Sequence, residues 1–106
     1  MVRPVPCDII LPESLKDDLR HLERKWHGAI RDANFEQLQF TPDVETRNRK
    51  PLSTPIDEAR WEIRCGPDNR FRVFYKYDIE AREVHVVAVG EKRNNELWVR
   101  GIRVHP

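Results

Sequence analysis

The sequence predicts an α+β domain in which an N-terminal strand and one or two helices pack on a small, mostly antiparallel sheet of four to five strands. Two patterns support this prediction. Apolar residues recur every three or four positions across residues 15–30, whereas residues 60–77 alternate between polar and apolar side chains. The 106 residues fit one domain spanning 1–106, because two domains would each be too small to bury an adequate core.

The N-terminal segment is expected to contribute a short strand. Ile9, Ile10 and Leu11 form an apolar run, and Pro4 and Pro6 precede it. Proline has no N–H to donate and is tolerated at the edge of a sheet, so we place this strand at an edge.

A helical segment is predicted next, because five apolar residues share one stripe: Leu15, Leu19, Leu22, Trp26 and Ile30. Ser14 is suited to the N-cap, and Asp17 three residues later resembles a capping box. Gly28 is a candidate interruption, so one bent helix and a helical hairpin ending near Phe40 both fit the pattern. Pro42 ends the helical region in either case.

Residues 41–56 show no sustained periodicity and are predicted to form a long loop. This loop contains three prolines and a basic cluster: Pro42, Pro51, Pro55, Arg47, Arg49 and Lys50. A loop of this length in a small domain is usually functional or mobile.

A hairpin is predicted from two alternating segments around the turn at residues 66–69. The expected register places Arg64 opposite Arg70, Glu62 opposite Arg72, and Arg60 opposite Phe74. The even-numbered residues then share one face: Arg60, Glu62, Arg64, Arg70, Arg72, Phe74 and Lys76. The odd-numbered residues share the other: Trp61, Ile63, Cys65, Phe71, Val73, Tyr75 and Tyr77. The odd face is the predicted core, and the helical stripe is available to cover it.

The remaining strands follow from apolar runs. Residues 83–90 are apolar on both faces, as expected of a central strand. Residues 97–99 and 102–104 are expected to form a final short strand or tail.

The even face carries five cations and one carboxylate, which favours a polyanion as its ligand because like charges on a sheet face repel. Phe74 among these cations is a ring on which an unstacked base could lie. The distribution of charge along the chain also favours a polyanionic ligand, since residues 1–46 have a net charge of −3 and residues 47–106 have a net charge of +4. The alternative is a solvated face with Glu62 as an internal counter-ion.

Several classes of protein are excluded or disfavoured. No run of about 18 apolar residues is present, and the N-terminus lacks the apolar region of a signal peptide. Cys7 and Cys65 are far apart, and the four histidines show no spacing typical of metal ligands. We therefore expect a cytosolic protein without a metal, a cofactor or a membrane partner.

Four segments in order resemble the RelE/ParE superfamily of bacterial toxins: residues 50–52 (KPL), 60–64 (RWEIR), 70–75 (RFRVFY) and 87–93 (VAVGEKR). The resemblance implies a toxin that a cognate antitoxin neutralises in a hetero-oligomer. RelE-like members cleave mRNA on the ribosome without a metal, whereas ParE-like members poison DNA gyrase. We favour the RelE-like branch, with the ribosome and mRNA as further partners.

The resemblance also implies which residues act. Arg72 matches the arginine expected to contact the phosphate, and Arg64 matches a second basic position. Lys92 or Arg93 would stabilise the transition state or donate a proton. RNA contacts are expected from the remaining candidates: Arg47, Arg49, Lys50, Arg70, Phe74, Lys76 and Trp98.

Two positions depart from the family pattern. Glu62 stands where relatives often have lysine, and Trp98 stands where a tyrosine is common. An indole cannot act as a general base, so His105 near the C-terminus or Glu62 would take that role. If catalysis has been lost, the chain would be a gyrase inhibitor or a passive nucleic-acid-binding domain.

Overall fold

The structure, a computed structural model, describes residues 6–104 except the side chains of residues 33–37. The elements in order are β1 (Asp8–Ile10), α1 (Leu15–Arg20), α2 (His27–Phe40), β2 (Arg49–Ile56), β3 (Ala59–Cys65), β4 (Phe71–Asp78), β5 (Glu83–Arg93), β6 (Glu96–Val99) and β7 (Ile102–Val104). Strands β2 to β7 are antiparallel neighbours in sequence order, and β1 pairs with β5 in parallel. The α+β class is confirmed, but the described sheet has seven strands rather than four or five.

The helical region divides earlier than Gly28. α1 ends at Arg20, a single 3-10 turn occupies Arg24–Trp26, and Gly28 lies inside α2. The predicted end before Pro42 is confirmed. The capping box is wrong, because Ser14 makes no side-chain cap bond. Neither described helix is long and apolar enough to cross a membrane.

The odd-numbered face of the sheet carries the main core, as predicted. The buried members from β3 and β4 are Ile63, Cys65, Phe71, Val73 and Tyr75. Leu22, Ile30 and Leu38 from the helical region and three valines of β5 also belong to this core, and Trp26 packs at its edge with its ring centroid 5.6 Å from that of Phe71. The helices therefore cover one sheet face and leave the even-numbered face to other elements.

The predicted register of β3 and β4 is wrong by two residues. Arg64 lies opposite Arg72 rather than Arg70. The connection contains a 3-10 turn in which the Arg70 N–H donates to the Pro67 carbonyl at 3.0 Å, so Arg70 belongs to the turn. A shift of two residues keeps every side chain on its face, and the division into odd and even faces survives.

Phe74 lies in a second core on the even face, and its expected role as a surface for stacking bases is wrong. Its side chain is fully buried, and its neighbours there are Ile56, Ala59, Ala88, Leu97 and Val99. The sheet curls so that β6 approaches β5 closely at Gly90, where a Cβ atom would lie 2.8 Å from the Trp98 carbonyl oxygen. This curl covers one end of the even face with the β6–β7 hairpin.

Residues 49–56 form the edge strand β2, although the sequence predicts a loop there. Lys50 pairs with Glu62 and Pro51 with Trp61, before the register shifts toward Ile56. An edge strand tolerates proline. The middle residues of β2 are mostly exposed on both faces, so the usual alternation is missing. The predicted loop at 41–56 is therefore reduced to residues 41–48.

Asp18 connects the helices to the sheet. Its side chain is 1% exposed, and its Oδ2 accepts the N–H of Val89 at 2.9 Å. Val89 lies on the stretch of β5 between its pairing with β1 and its pairing with β6. The Oδ1 atom of Asp18 lies 3.1 Å from Nε of Arg100, in the β6–β7 turn. One carboxylate thus joins α1, β5 and the hairpin.

Candidate functional site

A cleft of about 430 Å³ opens on the even face, between β2–β3–β4 and the β6–β7 hairpin. Its charged lining comes from five cations and two carboxylates, an excess of three positive charges: Lys50, Arg64, Arg72, Lys92, Arg103, Glu62 and Glu96. Period-two alternation brings the β3 and β4 members to this face, and the curl of β5 and β6 adds the others. The cleft is suited to a polyanion.

Arg72 and Arg64 both contact Glu62 on the floor of the cleft. Arg64 Nε donates to Glu62 Oε1 at 3.0 Å, and Arg72 NH1 lies 3.3 and 3.4 Å from the two carboxylate oxygens. Arg72 Nε also donates to the Asn69 carbonyl at 3.2 Å, which fixes the guanidinium. Two cations share one carboxylate, so a positive charge remains available to an anion.

Arg72 is an unusually desolvated cation. Burial lowers the pKa of its guanidinium, the Glu62 carboxylate opposes that change, and neighbouring Arg64 adds to the lowering. Arginine stays charged at any physiological pH, so this environment raises the free energy of the charged side chain instead of removing its charge. A phosphate bound here would gain more from the cation than it would at a solvated surface.

Lys92 and Lys50 stand on opposite walls of the same cleft. Both are exposed, and neither side chain forms an ion pair with any residue among those described. The N–H of Lys92 donates to the Arg70 carbonyl at 2.8 Å, which holds the start of the β5–β6 hairpin beside β4. Both ammonium groups are therefore free to contact a ligand.

Three residues of the cleft, Arg103, Glu96 and Asn95, were not among the predicted site residues. Arg103 NH1 donates to Glu96 Oε1 at 3.2 Å, and all three residues line the cleft. The β5–β6 turn brings Asn95 there, and the hairpin formed by β6 and β7 brings Glu96 and Arg103. The consecutive residues Asn94 and Asn95, suited to the positive φ values of 50° and 65° at a tight turn, were the available signal.

Several expected RNA-binding residues lie elsewhere. Arg49 is 4% exposed and donates to the Val44 carbonyl at 2.8 Å, so its proposed RNA contact is a wrong prediction. Arg93 Nε donates to Glu91 at 2.7 Å, and Arg70 pairs with the other oxygen of that carboxylate. These two arginines flank Glu91 outside the cleft.

The other candidates are more distant. Lys76 pairs with Glu58 at 2.6 Å, four residues along β4 from Arg72, which corresponds to about 13 Å. Trp98 pairs with Glu91 in the sheet and does not line the cleft. Arg47 is exposed on the loop before β2, and His105 lies outside the described residues.

Among the side chains that the structure describes, no group of three His, Cys, Asp or Glu residues could hold a metal ion. Burial raises the pKa of the Cys7 thiol, and burial likewise raises the pKa of the Tyr75 phenol, which donates to the Pro42 carbonyl at 2.7 Å. Both groups are neutral and lie in the core, away from the cleft.

A comparison with solved structures identifies a related fold. One chain of the crystal structure of the toxin–antitoxin complex RelBE2 from Mycobacterium tuberculosis superposes with a TM-score of 0.65 and 24% sequence identity. The superposition covers 84% of this chain and 94% of that chain. No family model and no curated protein matches the sequence. With its short helices, curled antiparallel sheet and added N-terminal strand, the chain has a RelE-like fold.

Proposed function

We propose that this protein is the toxin of a toxin–antitoxin pair and inhibits translation by ribosome-dependent, metal-independent cleavage of mRNA. The observation that carries the proposal is the convergence of Arg64, Arg72 and Lys92 on one cleft. The cleft lies on the sheet face opposite the helices, in a fold similar to that of a chain from a toxin–antitoxin complex. The reaction proposed below needs no metal ion, because side chains of the protein supply the base, the acid and the cations that bind the phosphate.

The reaction is an internal transfer at phosphorus. The 2′-oxygen of one ribose forms a bond to the adjacent phosphorus, and the bond from phosphorus to the 5′-oxygen breaks. The products are a 2′,3′-cyclic phosphate and a 5′-hydroxyl. The transition state carries extra negative charge on the phosphoryl oxygens, which Arg72 and Arg64 would stabilise.

Two protons must move in this reaction. Glu62 lies within 3.4 Å of both guanidinium groups, and is therefore beside any phosphate that they bind. In our proposal its carboxylate accepts the proton of the 2′-hydroxyl, and Lys92 donates a proton to the leaving 5′-oxygen. His105 is the second candidate for the base.

The proposed partners follow from the same cleft. The ribosome would present mRNA to it, and the cognate antitoxin would cover it in a hetero-oligomer. An antitoxin segment rich in carboxylates, partly disordered before binding, complements the excess of positive charge.

The test is a reconstituted translation reaction in which mRNA 5′ ends are mapped by primer extension, with and without ribosomes. We expect cuts only with ribosomes, and a loss of about 100-fold or more in rate for Arg72→Ala. The matched control is Lys76→Ala, which removes a cation from the same strand face outside the cleft and should cleave normally. An Arg72→Ala protein that cleaves at the wild-type rate would overturn the proposed mechanism.

A second function, binding and inhibition of DNA gyrase without catalysis, is favoured by one observation. Glu62 already neutralises part of the charge of Arg64 and Arg72. A protein that only binds gyrase transfers no proton, so in that function Glu62 would serve as a counter-ion and not as a base. Intact mRNA with normal translation, together with double-strand DNA breaks after induction, would support it. A passive nucleic-acid-binding domain would instead leave growth unaffected.

A further inference from the structure

A second depression, of about 440 Å³, adjoins the cleft. Both are lined by Arg72, Lys92 and Asn95, so these three residues form the boundary between two compartments of one trough. The second compartment is completed by two turns, the β3–β4 turn with Pro67 and Asp68 and the β5–β6 turn with Asn94. A ligand held at Arg72 can therefore extend into either compartment.

The second compartment presents hydrogen-bonding groups without partners. The side chains of Asp68, Asn94 and Asn95 are exposed and bond to no residue among those the structure describes. Their backbones have φ values of 55°, 50° and 65°, set by the two tight turns. Arg70 adds a planar guanidinium beside them, held by Glu91.

We propose that this second compartment binds the base of a nucleotide next to the phosphate held at Arg72, and selects bases that carry an exocyclic amino group. The carboxylate of Asp68 only accepts hydrogen bonds, and the amides of Asn94 and Asn95 both donate and accept. Adenine, cytosine and guanine offer an amino donor to this set, whereas uracil does not. The planar guanidinium of Arg70 provides a surface on which the base can stack, and Pro67 lines the compartment beside it.

This inference rests on the proposed function, since it needs single-stranded RNA as the ligand, but it can be tested without cleavage. The probes are fluorescein-labelled 2′-O-methyl octamers of A, C or U, which lack the attacking hydroxyl. Fluorescence anisotropy measures their Kd at one fixed salt concentration. We expect the A and C octamers to bind at least about fivefold more tightly than the U octamer.

The informative variant is Asp68→Asn, because asparagine also accepts a positive φ and preserves the turn. It should bring the Kd ratio of U to A or C close to one, and U binding should not weaken, because a negative charge has left the trough. The matched control is Asp57→Asn, another exposed aspartate at positive φ (50°) in a hairpin turn, outside the trough. It should behave as the wild type does.

The outcomes separate the two proposals. Equal binding of all three octamers, or an unchanged ratio in Asp68→Asn, overturns base selection, and so does the absence of measurable binding. The cleavage assay decides the proposed function by itself, since ribosome-dependent cuts can occur with no base preference. Loss of binding of all three octamers in Arg72→Ala would show that the trough holds the RNA backbone.

Discussion

Glu62 is the residue at which catalysis and simple charge neutralisation predict different results. Glu62→Gln keeps the size of the side chain and an acceptor for Arg64, but it cannot take a proton. If Glu62 is the base, we expect cleavage of ribosome-bound mRNA to fall by about 100-fold or more. RNA should bind more tightly at the same time, because a negative charge has left the cleft.

Single-turnover cleavage and anisotropy measured on the same preparation would check both effects. The control is Glu96→Gln, which removes the other cleft carboxylate, paired with Arg103 at 3.2 Å. It should tighten binding without slowing cleavage. If the Glu62→Gln variant cleaved at the wild-type rate, Glu62 would not be the base and would act only as a counter-ion for the two arginines.

Arg72 faces away from the helices, yet its side chain is only 10% exposed, and its guanidinium is held by Glu62 through NH1 and by the Asn69 carbonyl through Nε. An outward-facing side chain would suggest that Arg72→Ala costs little stability. The structure shows instead that this substitution would leave Glu62 with Arg64 alone on the floor of the cleft. Activity assays on this variant therefore need a parallel unfolding measurement.

Asp18 makes stability depend on pH. Burial is the main cause that raises the pKa of its carboxyl group, and the Val89 N–H and Arg100 lower it only in part. The folded protein thus binds a proton that the unfolded chain has lost, between the ordinary Asp pKa of about 3.9 and the raised value. Stability contributed by this group is present below that window and decreases as pH rises through it.

The variant Asp18→Asn removes this titration, while its amide oxygen can still accept the Val89 N–H. We expect its free energy of unfolding to rise relative to that of the wild type as pH increases from about 4 toward neutrality. Urea unfolding of both proteins across this range would measure the difference. A constant difference at all pH values would contradict the assignment.

At the scale of the elements, the close approach of β5 and β6 depends on Gly90. A Cβ atom there would lie 2.8 Å from the Trp98 carbonyl oxygen and 2.9 Å from Cγ2 of Val99. We expect Gly90→Ala to push β6 away from β5, at a cost of about 1–3 kcal/mol in the free energy of unfolding. Because β6 forms one wall of the cleft, RNA binding should weaken as well.

Gly28→Ala is the matched control for this prediction. A Cβ atom at Gly28 meets nothing within 4 Å, and the residue lies inside α2. The control should raise the free energy of unfolding by about 0.5–1 kcal/mol, since alanine favours a helix more than glycine does. If urea unfolding found both variants equally stable, the close approach of β6 to β5 would not depend on the absence of a side chain at Gly90.

The elements show which parts of the fold could be predicted. Period-two alternation assigned the odd and even faces of β3 and β4, because that division does not depend on an exact register. The pairing register of β3 and β4 depends on the turn between them, and it was predicted wrongly because Arg70 belongs to that turn rather than to β4. Strand β2 was missed since its exposed, proline-containing sequence has no periodic signal.

The sequence likewise predicted the part of the candidate site that depends on strand alternation, and not the part that depends on the curl of the sheet. Arg64 and Arg72 reach the cleft by strand alternation alone, as expected. Phe74 was misplaced because the curl that buries it arises from the approach of β6 and from the register shift between β4 and β5. Arg103 was missed for the same reason, as it faces the cleft only after the last hairpin has formed.

For the molecule as a whole, RNA binding should come from local rather than net charge. The chain carries a net charge of only +1, while the cleft has an excess of three positive charges. We expect log Kd to rise with log salt concentration, and Arg72→Ala to reduce that slope by about 0.7. Lys76→Ala should leave the slope unchanged, and anisotropy titrations at four salt concentrations would test both. Equal slopes for Arg72→Ala and the wild type would contradict phosphate binding at Arg72.

The two ends of the curled sheet limit how any other chain can attach to it. Pro51 and Pro55 leave the outer strand β2 without two of the N–H donors that an added strand would need. At the other end, β7 offers three residues within the part of the chain that the structure describes. Extension of the sheet by an incoming strand is therefore disfavoured at these two ends. A partner that covers the cleft would hold the protein through side chains laid across the sheet face, rather than through a continuous ladder of backbone hydrogen bonds.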